Sequence, residues 1–183
     1  TADVVHPDMM ENGWSFNSDF ENTTGDSLYK KKYLYEIYQL CSHDVSTKVT
    51  VPILWDKKTQ QIVNNESSEI LRIFNSSFND ITNNHDDFYP TDLRDDINKI
   101  NHEIYININN GVYKTGFAKT QCKYNEAVNN LFKSLDKIEE KLNNNNYLVS
   151  NHLTEADIRL VTTLLRFDNV YHYHFKCNLK KIS

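Results

Sequence analysis

Val51-Pro-Ile-Leu-Trp-Asp-Lys-Lys-Thr-Gln-Gln-Ile-Val-Asn-Asn-Glu-Ser-Ser-Glu-Ile-Leu-Arg-Ile-Phe74 is the stretch on which the reading of this chain turns. Val49 to Leu54 is apolar and β-branched and predicts a strand; Asp56 to Thr59 is a polar turn, and Gln61 to Val63 a second short strand. Glu66 to Ser68 then opens a helix whose apolar positions Ile70, Leu71, Ile73 and Phe74 recur at helical spacing. Pro52 lacks an N–H and so belongs at the edge or the end of a strand. A cis bond before it would turn the main-chain N–H and C=O of Val51 outward, where an extended peptide can pair with them by strand addition. Glu66 and Ser67 stand at a helix N-terminus, where free N–H groups and the dipole attract an anion. Together these features describe a place to hold a short peptide by its backbone and by a terminal carboxylate.

Composition narrows the classes around this stretch. With 183 residues, 39% hydrophobic and 12% aromatic, the chain has enough apolar material for one large domain or two small ones. A net charge of −5 gives no basic footprint, which argues against nucleic-acid binding. No apolar run approaches the about 20 residues of a membrane span. Three widely spaced cysteines do not form a disulfide framework and fit a reducing compartment, so a cytoplasmic setting is expected.

Outward from the central stretch, Ala2 to Val5 predicts a short strand, Asp8 to Asp26 a loop carrying Trp14 and Phe16, and Tyr33 to Leu40 an amphipathic helix. Ser76 to Pro90 is a polar connector that places a domain boundary. Leu93, Ile97, Ile100, Ile104 and Ile108 predict a helix from near Asp92, broken by Asn109-Asn-Gly111. Tyr124, Val128, Leu131, Leu135, Ile138 and Leu142 predict a long second helix. Thr154-Glu-Ala-Asp157 is a capping box. The helix it starts, with Ile158, Leu160, Val161, Leu164 and Leu165, is apolar nearly all round and is expected at the centre of a bundle.

The string V-P-I-L-W-D-K-K-T-x-x-I-V-N-N-E-S-S-E-I resembles the glutathione site of the glutathionyl-hydroquinone reductases, the xi-class (omega-like) glutathione transferases. Four more segments match the family in order: Val4-Val-His-Pro with Gly13-Trp-Ser-Phe, Ile108 to Ala118, Leu153 to Arg159, and Arg166-Phe-Asp-Asn-Val-Tyr with His174-Phe-Lys-Cys-Asn178. The resemblance covers nearly the whole chain. It implies an α+β glutathione transferase fold: an incomplete thioredoxin-like, glutathione-binding part at 1–76, a linker at 77–91 and a truncated all-α part at 92–183. The implied reaction is thiol chemistry. A cysteine thiolate attacks the sulfur of a glutathionyl-hydroquinone, the hydroquinone leaves, and a second glutathione resolves the mixed disulfide. Glutathione is then a co-substrate, a quinone-derived small molecule the second ligand, and a homodimer the expected assembly; no metal is implied.

Carried over residue by residue, the resemblance has Val51 pair with the cysteinyl backbone of glutathione and Ser67 take the γ-glutamyl carboxylate, with Glu66 near the ammonium. Trp14 lines the same site, and Lys48 stands where the family tends to carry an arginine for the glycyl carboxylate, without that residue's bidentate fork. Tyr113 is placed at the acceptor pocket, orienting the substrate through its hydroxyl. On the residues alone, Trp14 reads equally as a packing anchor, Lys48 as a surface lysine, Tyr113 as a half-buried helix tyrosine, and Val51 and Ser67 as a strand residue and a helix cap. The family's nucleophile lies in a Cys-Pro-Trp-Ala motif that these 183 residues do not contain, and none of Cys41, Cys122 or Cys177 is followed by proline. A non-catalytic glutathione-binding or interaction module on the same scaffold is therefore the alternative. His172, His174 and Cys177 have the spacing of metal ligands but lack a second pair, which argues against zinc.

Overall fold

The computed structural model describes residues 1–41 and 47–183, which separate into two compact units, 1–71 and 72–183. The first unit is built from loops around one helix and one small sheet. Helix α1, Leu34–Cys41, buries Leu34, Ile37 and Tyr38 on one face, and Trp14, Phe16, Val49, Ile53, Trp55 and Ile62 pack against them. Two carboxylates do much of the work of ordering the loop before it. Asp26 is buried and accepts the N–H groups of Leu28, Tyr29 and Lys31 at 2.8–3.1 Å. Glu36 accepts those of Lys32 and Tyr33, both at 2.9 Å, satisfying donors at the start of α1.

The sheet has two antiparallel strands, β1 (Leu54–Asp56) and β2 (Gln61–Asn64), with Trp55 opposite Ile62 and a register irregularity between Leu54 and Trp55. Asp56 makes the turn, accepting from Lys58 N–H and the Thr59 hydroxyl, each at 2.8 Å. The sequence predicted a strand from Val49; the pairing begins only at Leu54. Pro52 has no N–H to offer, and both main-chain groups of Thr50 are engaged by the Tyr38 hydroxyl instead, its C=O accepting at 3.0 Å and its N–H donating at 3.4 Å. The expected strand at Ala2 to Val5 is likewise absent: Val4 is tied to Thr24 alone, by two hydrogen bonds, with no neighbouring strand among the described residues.

Helix α2, Ser67–Ser76, runs across the division between the units. The second unit continues through a short helix α3 (Asn79–Thr82) and a 3₁₀ turn (Thr91–Leu93) into α4, Arg94–Ile104. The predicted break at Asn109-Asn-Gly111 does not occur. The helix widens into a π turn over Tyr105–Asn109, where Asn110 N–H reaches back to Tyr105 C=O at 2.9 Å, and resumes as α5, Gly111–Gly116. Asn109 is a bridge, its amide donating to Arg159 C=O and the Thr163 hydroxyl. Gly111 allows a close approach, since a Cβ there would lie 3.4 Å from Leu131.

Leu131 belongs to α6, Gln121–Leu142, capped by the Thr120 hydroxyl. Helix α7, Glu155–Arg166, begins at the predicted box: fully buried Thr154 gives both its N–H and its hydroxyl to Asp157, at 2.9 and 3.0 Å. Only one face of α7 is buried, on Ala156, Leu160 and Thr163; Val161 and Leu165 are 43% and 75% exposed, which corrects the expectation of burial all round. A second π turn, Phe167–Tyr171, leads into α8, His172–His174. The core joins Ile97, Ile104, Ile108, Val112, Leu131 and Phe167 among others into one cluster, as the helical spacing of the sequence requires.

Candidate functional site

The bond between Val51 and Pro52 is cis. Val51 is 41% exposed, and among the described residues neither of its main-chain groups has a hydrogen-bond partner. A backbone donor and acceptor left open on a surface segment are what a peptide needs for pairing. The helix tip is similar. Glu66 N–H turns back onto Asn64 Oδ1 at 2.7 Å, and Glu66 C=O accepts from Glu69 and Ile70. The N–H groups of Ser67 and Ser68 are left without partners among the described residues, and Ser67 is exposed. Free N–H groups in a first helical turn suit a carboxylate.

The sequence held no sign of what fixes these two parts. The Tyr38 hydroxyl grips Thr50, the residue before Val51, while the Asn65 amide donates to Tyr38 Oη at 3.2 Å and to Thr50 Oγ1 at 3.3 Å. Asn65 stands two residues before Ser67. One tyrosine on α1 and one asparagine on the loop before α2 thus clip the proline-bearing segment to the approach of the helix tip. These contacts span 12 to 27 positions in the chain, so no local pattern reports them.

Trp14 is half-buried, its ring against the Leu34, Ile37 and Tyr38 cluster and its C=O accepting from Leu34 N–H at 2.9 Å. Lys48 is exposed. A surface depression of about 450 Å³ is lined by Tyr38, Cys41, Thr47, Gln61, Ile62 and Asn65, and so shares the clip but none of the six site residues expected from the sequence.

Tyr113 lies in the second unit, on α5, 42% exposed. Its ring meets Phe175 and Tyr171 edge-on at 5.2 and 5.8 Å and stacks on Phe117 at 6.3 Å. Its hydroxyl lies 3.3 Å from that of Tyr171. Burial, and then this hydrogen bond, push the Tyr171 phenol up to about 12. Of the three thiols, Cys41 and Cys122 are exposed; Cys177 is buried, and burial pushes it up to about 11. Among the described residues no cluster of three or more histidine, cysteine, aspartate or glutamate side chains could hold a metal ion.

Residues 123–181 match the family model for the glutathione S-transferase C-terminal domain. The chain is 50% identical over its whole length to the glutathionyl-hydroquinone reductase YqjG of Escherichia coli K12, of which it spans 56%. The glutathione-bound structure of YqjG superposes with a TM-score of 0.95 over 98% of this chain and 58% of that one. The xi glutathione transferase ECM4 of Saccharomyces cerevisiae in complex with glutathione is 37% identical, with a TM-score of 0.90 over 97% of this chain and 67% of that one. This chain belongs to the xi-class glutathione transferases, the glutathionyl-hydroquinone reductase family. Its fold is that of the glutathione transferases, α+β, with a small sheet before a helical bundle. The chain spans little more than half the length of the curated xi-class relatives it matches. No helix among the described residues is long and apolar enough to cross a membrane.

Proposed function

We propose that this chain binds glutathione and serves the glutathione-dependent reduction of glutathionyl-hydroquinones. The supporting observation is the pairing of open main-chain groups at Val51 with open N–H groups at the tip of α2, both held by the Tyr38–Asn65 clip. In this reading Val51 pairs with the cysteinyl backbone, and Ser67 takes the γ-glutamyl carboxylate by hydroxyl and N–H. Glu66 stands near the ammonium, Lys48 serves the glycyl carboxylate, and Trp14 lines the site. Tyr113 donates a hydrogen bond to a phenolic oxygen of the quinone-derived ligand. Residues 1–76 form the glutathione-binding part, 77–91 the linker and 92–183 the helical part.

The attacking thiolate forms a disulfide with the glutathionyl sulfur; the carbon–sulfur bond breaks, and the hydroquinone carbon takes the electron pair and a proton. A second glutathione thiolate then releases oxidised glutathione. None of the three thiols present is assigned as the attacker: Cys177 is buried, and neither Cys41 nor Cys122 is followed by the proline of the family's motif. The family resemblance also supports a cytoplasmic homodimer. Retention on glutathione resin tests the binding half of this reading. Ser67→Ala is expected to weaken it about ten-fold, the worth of a hydrogen bond to a charged group; unchanged retention would refute the assignment of Ser67.

A further inference from the structure

Helix α2 carries the proposed anion-binding tip, yet little apolar packing holds it. Of its residues only Ile70 is buried, and Phe74 is 58% exposed. Its second half is fixed instead through one guanidinium. Arg72 sets its planar fork on the Glu155 carboxylate, Nε on Oε2 at 3.0 Å and Nη2 on Oε1 at 3.3 Å. The same Nη2 donates to Asn98 Oδ1 at 2.9 Å, and the guanidinium carbon lies 4.1 Å from the centre of the Tyr89 ring. The Tyr89 hydroxyl in turn donates to Asn98 Oδ1 at 2.8 Å, so carboxylate, amide and ring form one socket.

Glu155 does not need Arg72 to balance its charge. It is 3% exposed, and Arg159 on its own helix already supplies the opposite charge at 3.2 Å, with the Asn101 amide at 2.9 Å. What the second guanidinium adds is direction. A carboxylate edge and a ring face meet a planar fork in one orientation, which the compact ammonium of a lysine would not impose. Ser67 lies five residues before Arg72, about 7.5 Å along the axis of the same helix. A tilt of about 20° at Arg72 would shift the first-turn N–H groups by about 2.5 Å, enough to lose a hydrogen bond of ordinary length.

We propose that Arg72 is a positioning residue for glutathione: its fork on Glu155 and its face on Tyr89 aim the first-turn N–H groups of α2 at the γ-glutamyl carboxylate. This rests on the reading of that helix tip as the carboxylate site. Arg72 acts through the helix, and a tip already held in place spares the ligand the cost of ordering it.

The test is a set of binding titrations with two ligands: glutathione, and the analogue with 4-aminobutyryl in place of γ-glutamyl, which lacks only the α-carboxylate. Arg72→Met keeps an unbranched stem and removes the fork. It is expected to weaken glutathione about three- to ten-fold and to leave the analogue within about two-fold. Arg72→Lys, with the charge but no fork, is expected to show the same selective loss; full affinity with lysine would overturn the role of the fork. Arg159→Met takes the other guanidinium from Glu155 while leaving the α2 contacts in place, and is expected to change neither affinity. A loss with Arg72→Met that is equal for both ligands, or that Arg159→Met reproduces, would mean that Arg72 only stabilises the fold and would overturn the proposal. A selective loss with Ser67→Ala but none with Arg72→Met would overturn the role of Arg72 while sparing that of the tip. If the unaltered chain binds both ligands equally, or neither, the reading of the tip fails and the role of Arg72 with it.

Discussion

The two units of this chain are stabilised by different means. In residues 72–183 the buried hydrophobic cluster has fourteen members among the described residues, drawn from four α-helices, the two π turns and the loops after α6 and α8. In residues 1–71 the corresponding cluster has three among the described residues, all on α1. What apolar burial does for the second unit, side-chain hydrogen bonds to the backbone do in the first: Asp26 takes three N–H groups, Glu36 two, and Tyr38 both main-chain groups of Thr50. The proposed glutathione contacts all fall in the thinly packed unit. An open backbone is useful for gripping a peptide and cannot also be committed to a ladder or a core. The proposed hydroquinone contact falls in the densely packed one, where Tyr113 is set by rings on three sides.

Substitutions can sharpen or break that contrast. The largest effect is expected at Glu155, a buried carboxylate that accepts from Arg72 Nε at 3.0 Å, Arg159 at 3.2 Å and Asn101 at 2.9 Å. Glu155→Ala removes the buried acceptor shared by Arg72, Arg159 and Asn101 and should cost about 4 kcal/mol in urea unfolding of the helical unit. Leu131→Ala, at a fully buried position against Gly111, should cost about 3 kcal/mol by cavity formation. Asp26→Ala should cost about 2 kcal/mol, felt as loosening of the loop before α1 in amide exchange while the helical unit keeps its protection. Equal loss of protection in both units on Asp26→Ala would break the contrast. The smallest effect is expected for Thr154→Ala, about 1 kcal/mol for the lost cap of α7.

The helices were legible because their determinants are local. The three- and four-residue spacing of Val128, Leu131 and Leu135 placed α6, and Thr154 to Asp157 announced the start of α7. The misreadings share a cause. Asn109-Asn-Gly111 has the composition of a break, yet Asn109 is satisfied from α7, fifty and more positions away, and Gly111 serves packing. Val49 to Ile53 has the composition of a strand, yet a tyrosine side chain on α1 takes the hydrogen bonds a neighbouring strand would have used. Of the candidate sites, Val51 with its cis proline and Ser67 in the first turn of α2 could be anticipated from the central stretch. Asn65 and Tyr38, which hold them, could not, nor could the Tyr171 hydroxyl behind Tyr113, since each depends on contacts distant in sequence.

The central claim is that a proline-turned backbone and a bare helix tip grip glutathione together. Backbone amide shifts followed while glutathione is titrated into the chain test it most directly. The amides of Val51 and Ser67 are expected to move together along one saturating curve, and to do so with a weaker constant in Asn65→Ala, where the clip is cut. Saturable shifts elsewhere in the chain with both amides unmoved would contradict the account.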